Sequence, residues 1–103
     1  MRRAEVFFHD KRAGILEEVE RAKSYRFIYD ADYSGPPVSL TMPPDMKRYE
    51  FDRFPPFFEG LLPEGIQLEG LLRTRKIDRN DLFNQLVAVG ADMVGAATVR
   101  EIK

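Results

Sequence analysis

His9 is the one imidazole in the chain, and its ordinary pKa would suit a general base near neutral pH. It stands beside Val6, Phe7 and Phe8 with no nucleophile next to it, so an edge or structural histidine is preferred over a catalytic one. Ser24, Ser34 and Ser39 lie in strand or loop contexts without the glycine-flanked elbow that exposes a hydrolase serine. Asp30 and Asp32 could bind a cation, but oxygen-ligand loops supply more acids at regular spacing, and Asx turn formation accounts for both. Glu17, Glu18 and Glu20 read as a solvated run of charge. Without cysteine neither a disulfide framework nor a thiolate metal site can form. The glycines build neither a dinucleotide-binding fingerprint nor a P-loop. The expectation is therefore no catalytic residue, no metal and no cofactor: not an enzyme.

Two surface features are left. Arg73, Arg75, Lys76 and Arg79 form the only basic cluster that could meet a phosphate, and complementarity to the negative end of a helix macrodipole explains most of it. The second is the stretch FFEGLLPEG, residues 57–65. Phe57, Phe58, Leu61 and Leu62 make one apolar helical face and should be buried. Pro63 and Gly65 then stop the helix and place Glu64 in a turn. The next residue, Ile66, is out of phase with the stripe Leu68, Leu71 and Leu72. A single exposed aliphatic side chain needs no explanation; the sharper reading makes Ile66, at a helix N-terminus, an anchor for a partner's pocket.

The elements that must hold this turn divide into a β-like first part and a helical second part. Ala4 to His9 is a short apolar strand, and DKRAG (10–14) supplies a hairpin loop. Ile15 to Glu20 returns as a second strand, although ILEEVERAK could also be helical. Tyr25, Phe27 and Tyr29 alternate with Arg26, Ile28 and Asp30, the period of a half-buried strand. ADYSGPP (31–37) is a loop, Val38 to Met42 alternates as a fourth strand, and Asp45 to Arg53 is a charged, aperiodic connection. A short helix follows Phe54 with Asp52 as N-cap and Pro55 and Pro56 in its first turn. A second helix begins near Gly65 and ends in the basic cluster. A third is framed by Asp78 as N-cap, Asp81 three residues on, and Gly90 as its stop, with Leu82, Phe83, Leu86 and Val89 as its stripe. Met93 to Arg100 is a last strand whose Gly95, Ala96 and Ala97 permit close approach. Strands, then helices, then one strand predict an α+β domain: an antiparallel or mixed sheet of about five strands with three short helices inserted before the last, which returns to the first sheet.

Length and charge bound the partners. A chain of 103 residues, 44% hydrophobic and 32% charged, suits a single domain over 1–103, and eight Phe with four Tyr can supply its core. A net charge of −1 argues against strong direct nucleic-acid binding. The apolar run Val6 to Phe8 is too short for a signal-peptide core or a membrane span. A soluble, cytoplasmic protein is expected.

Residues 57–99, FFEGLLPEGIQLEGLLRTRKIDRNDLFNQLVAVGADMVGAATV, resemble the N-terminal subdomain of HipA-type serine/threonine kinases of bacterial toxin–antitoxin systems. The similar features are a helix ending in LLPEG, a basic helix tail, and a helix and strand close to the form DxFxLLxxxGxDxxGAxxV. Upstream, FIYDADY followed by PPVSLTMP is similar to that subdomain's strands, so the likeness covers about residues 25–100 in the family's order. A HipA kinase continues for several hundred residues through its ATP-binding loop and its catalytic and metal-binding aspartates, none of which this sequence contains. In a split form of the family the subdomain is a separate protein, HipS, encoded beside a shortened kinase, HipT, and a DNA-binding protein, HipB. The resemblance implies an antitoxin that binds and inhibits a HipT/HipA-like kinase, with a HipB-like protein in a larger complex. Pro63, Glu64, Gly65, Ile66 and Gln67 are the expected partner-binding residues, with Ile66 as apolar anchor and Glu64 facing a basic group near the nucleotide site. The alternatives are a structural subdomain, including a fragment of a longer kinase, and a scaffold joining kinase to HipB-like protein.

Overall fold

The computed structural model describes residues 1–90 and 96–102. Five antiparallel strands, β1 (Arg2–Phe8), β2 (Lys11–Glu20), β3 (Ser24–Tyr29), β4 (Arg48–Phe51) and β5 (Ala97–Ile102), form one sheet in the order β4-β3-β2-β1-β5. Three helices, α1 (Pro56–Glu59), α2 (Gly65–Arg75) and α3 (Leu82–Val89), lie between β4 and β5 in the chain. The expected α+β architecture is the observed one, with the last strand paired to the first: Val6 sits opposite Val99 and Phe8 opposite Ala97.

Strand alternation sorts the side chains. Ala4, Val6, Leu16, Phe27 and Val99 are fully or almost fully buried and share one sheet face through the pairings Ala4 to Leu16 and Leu16 to Phe27. Phe58 from α1 and Phe83 and Leu86 from α3 complete this core. Phe58 meets Phe27 at a ring-centroid distance of 5.8 Å, so the helix pair is fixed by aromatic contact with the sheet's centre. The opposite face carries cross-strand ion pairs, Arg12 with Glu5 at 2.9 Å and Arg26 with Glu17 at 2.7 Å.

Several local expectations are corrected. The first hairpin turns on His9 and Asp10 alone, both at positive φ (53° and 66°), and Lys11 to Gly14 belong to β2 rather than to a loop. A two-residue turn with both central residues left-handed matches the twist of its strands, which a five-residue loop need not do. Ile15 to Glu20 returns as part of β2, as expected, and the helical alternative for ILEEVERAK falls away.

Val38 to Met42 is not a strand: it makes a single bridge, Ser39 to Met42, and the fourth strand is Arg48–Phe51, within the segment read as a connection. The reason is a tyrosine, not a ladder. The Tyr29 hydroxyl accepts the Val38 N–H at 3.0 Å and donates to the Met42 carbonyl, while Tyr33 stacks on Tyr29. Val38 and Met42 are thereby held in the core from a loop. Meanwhile Tyr49 and Phe51 pack on the core and Arg48 and Glu50 point outward, a period of two hidden by its charges.

Caps shift as well. The residue before α1 is Pro55, with no side-chain cap from Asp52. Asp81, not Asp78, caps α3 by accepting the Asn84 N–H at 3.1 Å; Asp78 instead accepts the Asn80 N–H in the preceding turn. The last strand starts at Ala97 and runs to Ile102; Met93 to Gly95 lie outside the described residues. No helix among the described residues is long and apolar enough to cross a membrane.

Candidate partner-docking turn between the first two helices

The turn is built by a helix that runs out of core. Phe58 is fully buried, whereas Phe57, Leu61 and Leu62 are only partly covered at the core's margin, short of the burial expected for all four. The chain closes with the Leu62 N–H on the Glu59 carbonyl at 3.1 Å. Glu64 then runs extended (φ −130°, ψ 163°) and its carboxylate caps nothing. Gly65 takes φ +59°, a left-handed conformation that costs a side-chain-bearing residue roughly 1 kcal/mol or more. This reversal starts α2 with Ile66 90% exposed.

Pro63, Glu64, Gly65, Ile66 and Gln67 are thus contiguous on one surface turn, with Pro63 half-buried and the other four exposed. Beneath them lies a cleft of about 170 Å³ lined by Leu62, Pro63, Glu64, Leu68, Leu82 and Gln85. The Leu68, Leu71 and Leu72 stripe faces inward as spaced, but none of the three is fully buried. Arg73, Arg75 and Lys76 are exposed at the far end of α2, as the dipole argument expects, and Arg79 pairs with Glu69 at 2.7 Å.

The residues singled out for catalysis stay apart. His9 is an exposed turn residue with its ring against Phe8. Asp30 pairs with Arg12 at 3.2 Å, and its carbonyl accepts the Tyr33 N–H. Among the described residues no group of three or more His, Asp or Glu is placed to hold a metal ion.

Glu18 corrects the expectation of a solvated acidic run. It is 3% exposed, and the Arg2 guanidinium grips it with two nitrogens at 2.6 and 2.9 Å while reaching Asp81 at 2.8 and 3.1 Å. Arg2 also lies 5.0 Å from the centre of the Phe83 ring. Burial pushes both carboxyls up, but the hydrogen bonds and charge of Arg2, with the N–H groups of Ala22 and Asn84, outweigh it and hold both below the usual carboxylate range. Burial and the Glu18 charge push the Tyr25 hydroxyl up. This cluster ties β1, β2 and α3 into the frame that supports the turn. A signal for it existed: once β2 is a strand, Glu18 shares its face with Leu16, and a charge there requires a partner.

The fold and surface define a class first: a small α+β domain that presents an exposed aliphatic side chain, Ile66, beside a glycine turn. The comparisons with known proteins then supply the family. The model of the HipA N-terminal domain matches residues 4–100, and the chain belongs to that family. Among solved structures it is similar to the N-terminal domain of HipA toxin, with a TM-score of 0.78 and 30% identity over 100% of this chain and 94% of that one. Among curated sequences, an uncharacterized protein of Haemophilus influenzae is 33% identical over 103 residues, 100% of this chain and 95% of that protein.

Proposed function

We propose that this chain is a HipS-like antitoxin: a cytoplasmic, non-enzymatic protein that binds and inhibits a HipT/HipA-type serine/threonine kinase toxin, in a system that also contains a HipB-like DNA-binding protein. The observation that carries the reading is Ile66, 90% exposed on a turn whose glycine and proline fix its direction, in a chain of the HipA N-terminal domain family. An apolar group held outward at the start of a helix loses little conformational freedom when a partner's pocket takes it up. Glu64, extended and uncommitted to a cap, is free to meet a basic group at the same contact. Inhibition follows if the docked turn keeps the kinase from ordering its phosphate-binding loop or closing its lobes.

Co-expression with the HipA-type kinase of the same locus, without the DNA-binding protein, tests this. Growth should be rescued by the wild-type chain and lost with Ile66→Asp, whose circular dichroism should be unchanged. If Ile66→Asp binds and neutralises as well as wild type, the turn is not the inhibitory element. If the chain has no effect on toxicity but its deletion dissolves a kinase–DNA-binding-protein complex, the scaffold reading replaces the antitoxin.

A further inference from the structure

Among the described residues, nothing in the packing or backbone of Gly70 calls for glycine. Gly14 and Gly90 are different: a Cβ on either would come within 2.2 Å of the Ile28 carbonyl oxygen or 2.0 Å of the Val99 carbonyl oxygen. Gly65 has its positive φ. Gly70 sits in the middle of α2, and a Cβ built there meets nothing within 4 Å. Glycine at such a position weakens a helix relative to alanine, so the intramolecular fold would be better served by almost any other residue.

Its surroundings suggest what glycine accommodates. At about 100° per residue, Ile66, Gly70 and Arg73 fall within an arc of about 60° opposite Leu68, and all three are exposed. The Gly70 carbonyl is engaged by the Thr74 hydroxyl at 2.7 Å, so the position offers space rather than a bare acceptor. Beyond it, Arg73, Arg75 and Lys76 are exposed, and the ion pairs among the described residues include none of them. Helix-dipole complementarity explains where these cations stand, and among the described residues no carboxylate pairs with them.

We propose that the outer face of α2 is a docking surface on which an acidic segment of the partner kinase crosses at Gly70, with Ile66 in an apolar pocket to one side and Arg73 and Lys76 against carboxylates to the other. This rests on the antitoxin reading and extends its contact from the Pro63–Gln67 turn along the whole helix. A side chain at position 70 would hold the two backbones apart.

The test is binding of the full-length chain to a catalytically inactive form of the same-locus kinase, by titration calorimetry at low and physiological salt, with the thermal midpoint of each free variant. Gly70→Ala should raise the midpoint of the free chain by about 4–8 °C and still weaken the complex. Gly70→Leu should weaken it by about tenfold or more. Arg73→Glu combined with Lys76→Glu should weaken it and flatten its salt dependence. Arg48→Ala, on the far face of the sheet, should bind as wild type does. If the wild-type chain does not bind the kinase, the antitoxin reading and this one fall together. If it binds and Gly70→Leu binds equally well, only the Gly70 crossing is refuted. If the Arg73→Glu, Lys76→Glu variant loses binding to duplex DNA while kinase affinity is untouched, the cations serve nucleic acid and the acidic-partner assignment is overturned.

Discussion

Helix α2 has eleven residues and α3 eight, yet the shorter helix is the better anchored. α3 buries Phe83, Gln85 and Leu86, is capped by Asp81, and ends at Gly90 against the backbone of β5. α2 buries no residue fully, has no side-chain cap, and carries glycine at its start and in its middle. Helices of this length are marginal on propensity alone, and tertiary packing supplies most of their stability. α3 draws that packing from its own chain, whereas α2 draws only part of it there. Its outward side chains are where a partner would supply the rest.

The contrast can be broken most directly by truncation. Phe83→Ala should cost about 4 kcal/mol in urea denaturation, while Leu71→Ala, half-covered in α2, should cost about 1 kcal/mol; equal losses would mean that α2 is as integral to the core as α3. Next in size is the anchor of α3. Arg2→Met leaves the Glu18 carboxylate buried without its cation and should cost about 3 kcal/mol by the same measurement.

The same cluster sets a smaller pH dependence. Glu18 and Asp81 titrate below their ordinary values of 4.5 and 3.8 in the folded chain. Their contribution is therefore complete above pH 4.5 and is lost as the pH falls through the depressed folded-state values. Urea midpoints measured from pH 6 downward should show this decline in the wild type and a shallower one in Arg2→Met. The finest test is hydrogen exchange. Amides of α2 should exchange faster than those of α3 in the free chain, and a bound kinase should slow those of α2 the most. Equal protection of both helices in the free chain would remove the distinction.

The stretch FFEGLLPEG shows how much of the site was legible. Its proline and glycine act on the backbone through local sterics, so the end of one helix, the turn and the outward phase of Ile66 could be read from spacing. The depth of burial could not: Phe58 reached the core while Phe57, Leu61 and Leu62 stopped at its margin, because that depends on how far the sheet extends beneath them. The fourth strand was missed because Arg48 and Glu50 masked a two-residue period, and because Val38 and Met42 matched a strand but were held in the core by the Tyr29 hydroxyl instead. The burial of Glu18 was not legible because its cation, Arg2, lies 16 positions away and the second carboxylate on that cation, Asp81, lies 63 away, and no short-range rule connects them.

By itself, then, the sequence determined what short-range forces determine: the α+β order, the principal apolar stripes, the turn at Pro63 to Gly65 and the out-of-phase position of Ile66. Tertiary structure decided which charges became internal, which of two alternating segments joined the sheet, and which helix was left partly uncovered. The physical reason is that local periodicity and turn chemistry act over a few residues, whereas burial is a property of the assembled layers. The turn at Gly65 belongs to the first kind of information, and the open face around Gly70 to the second.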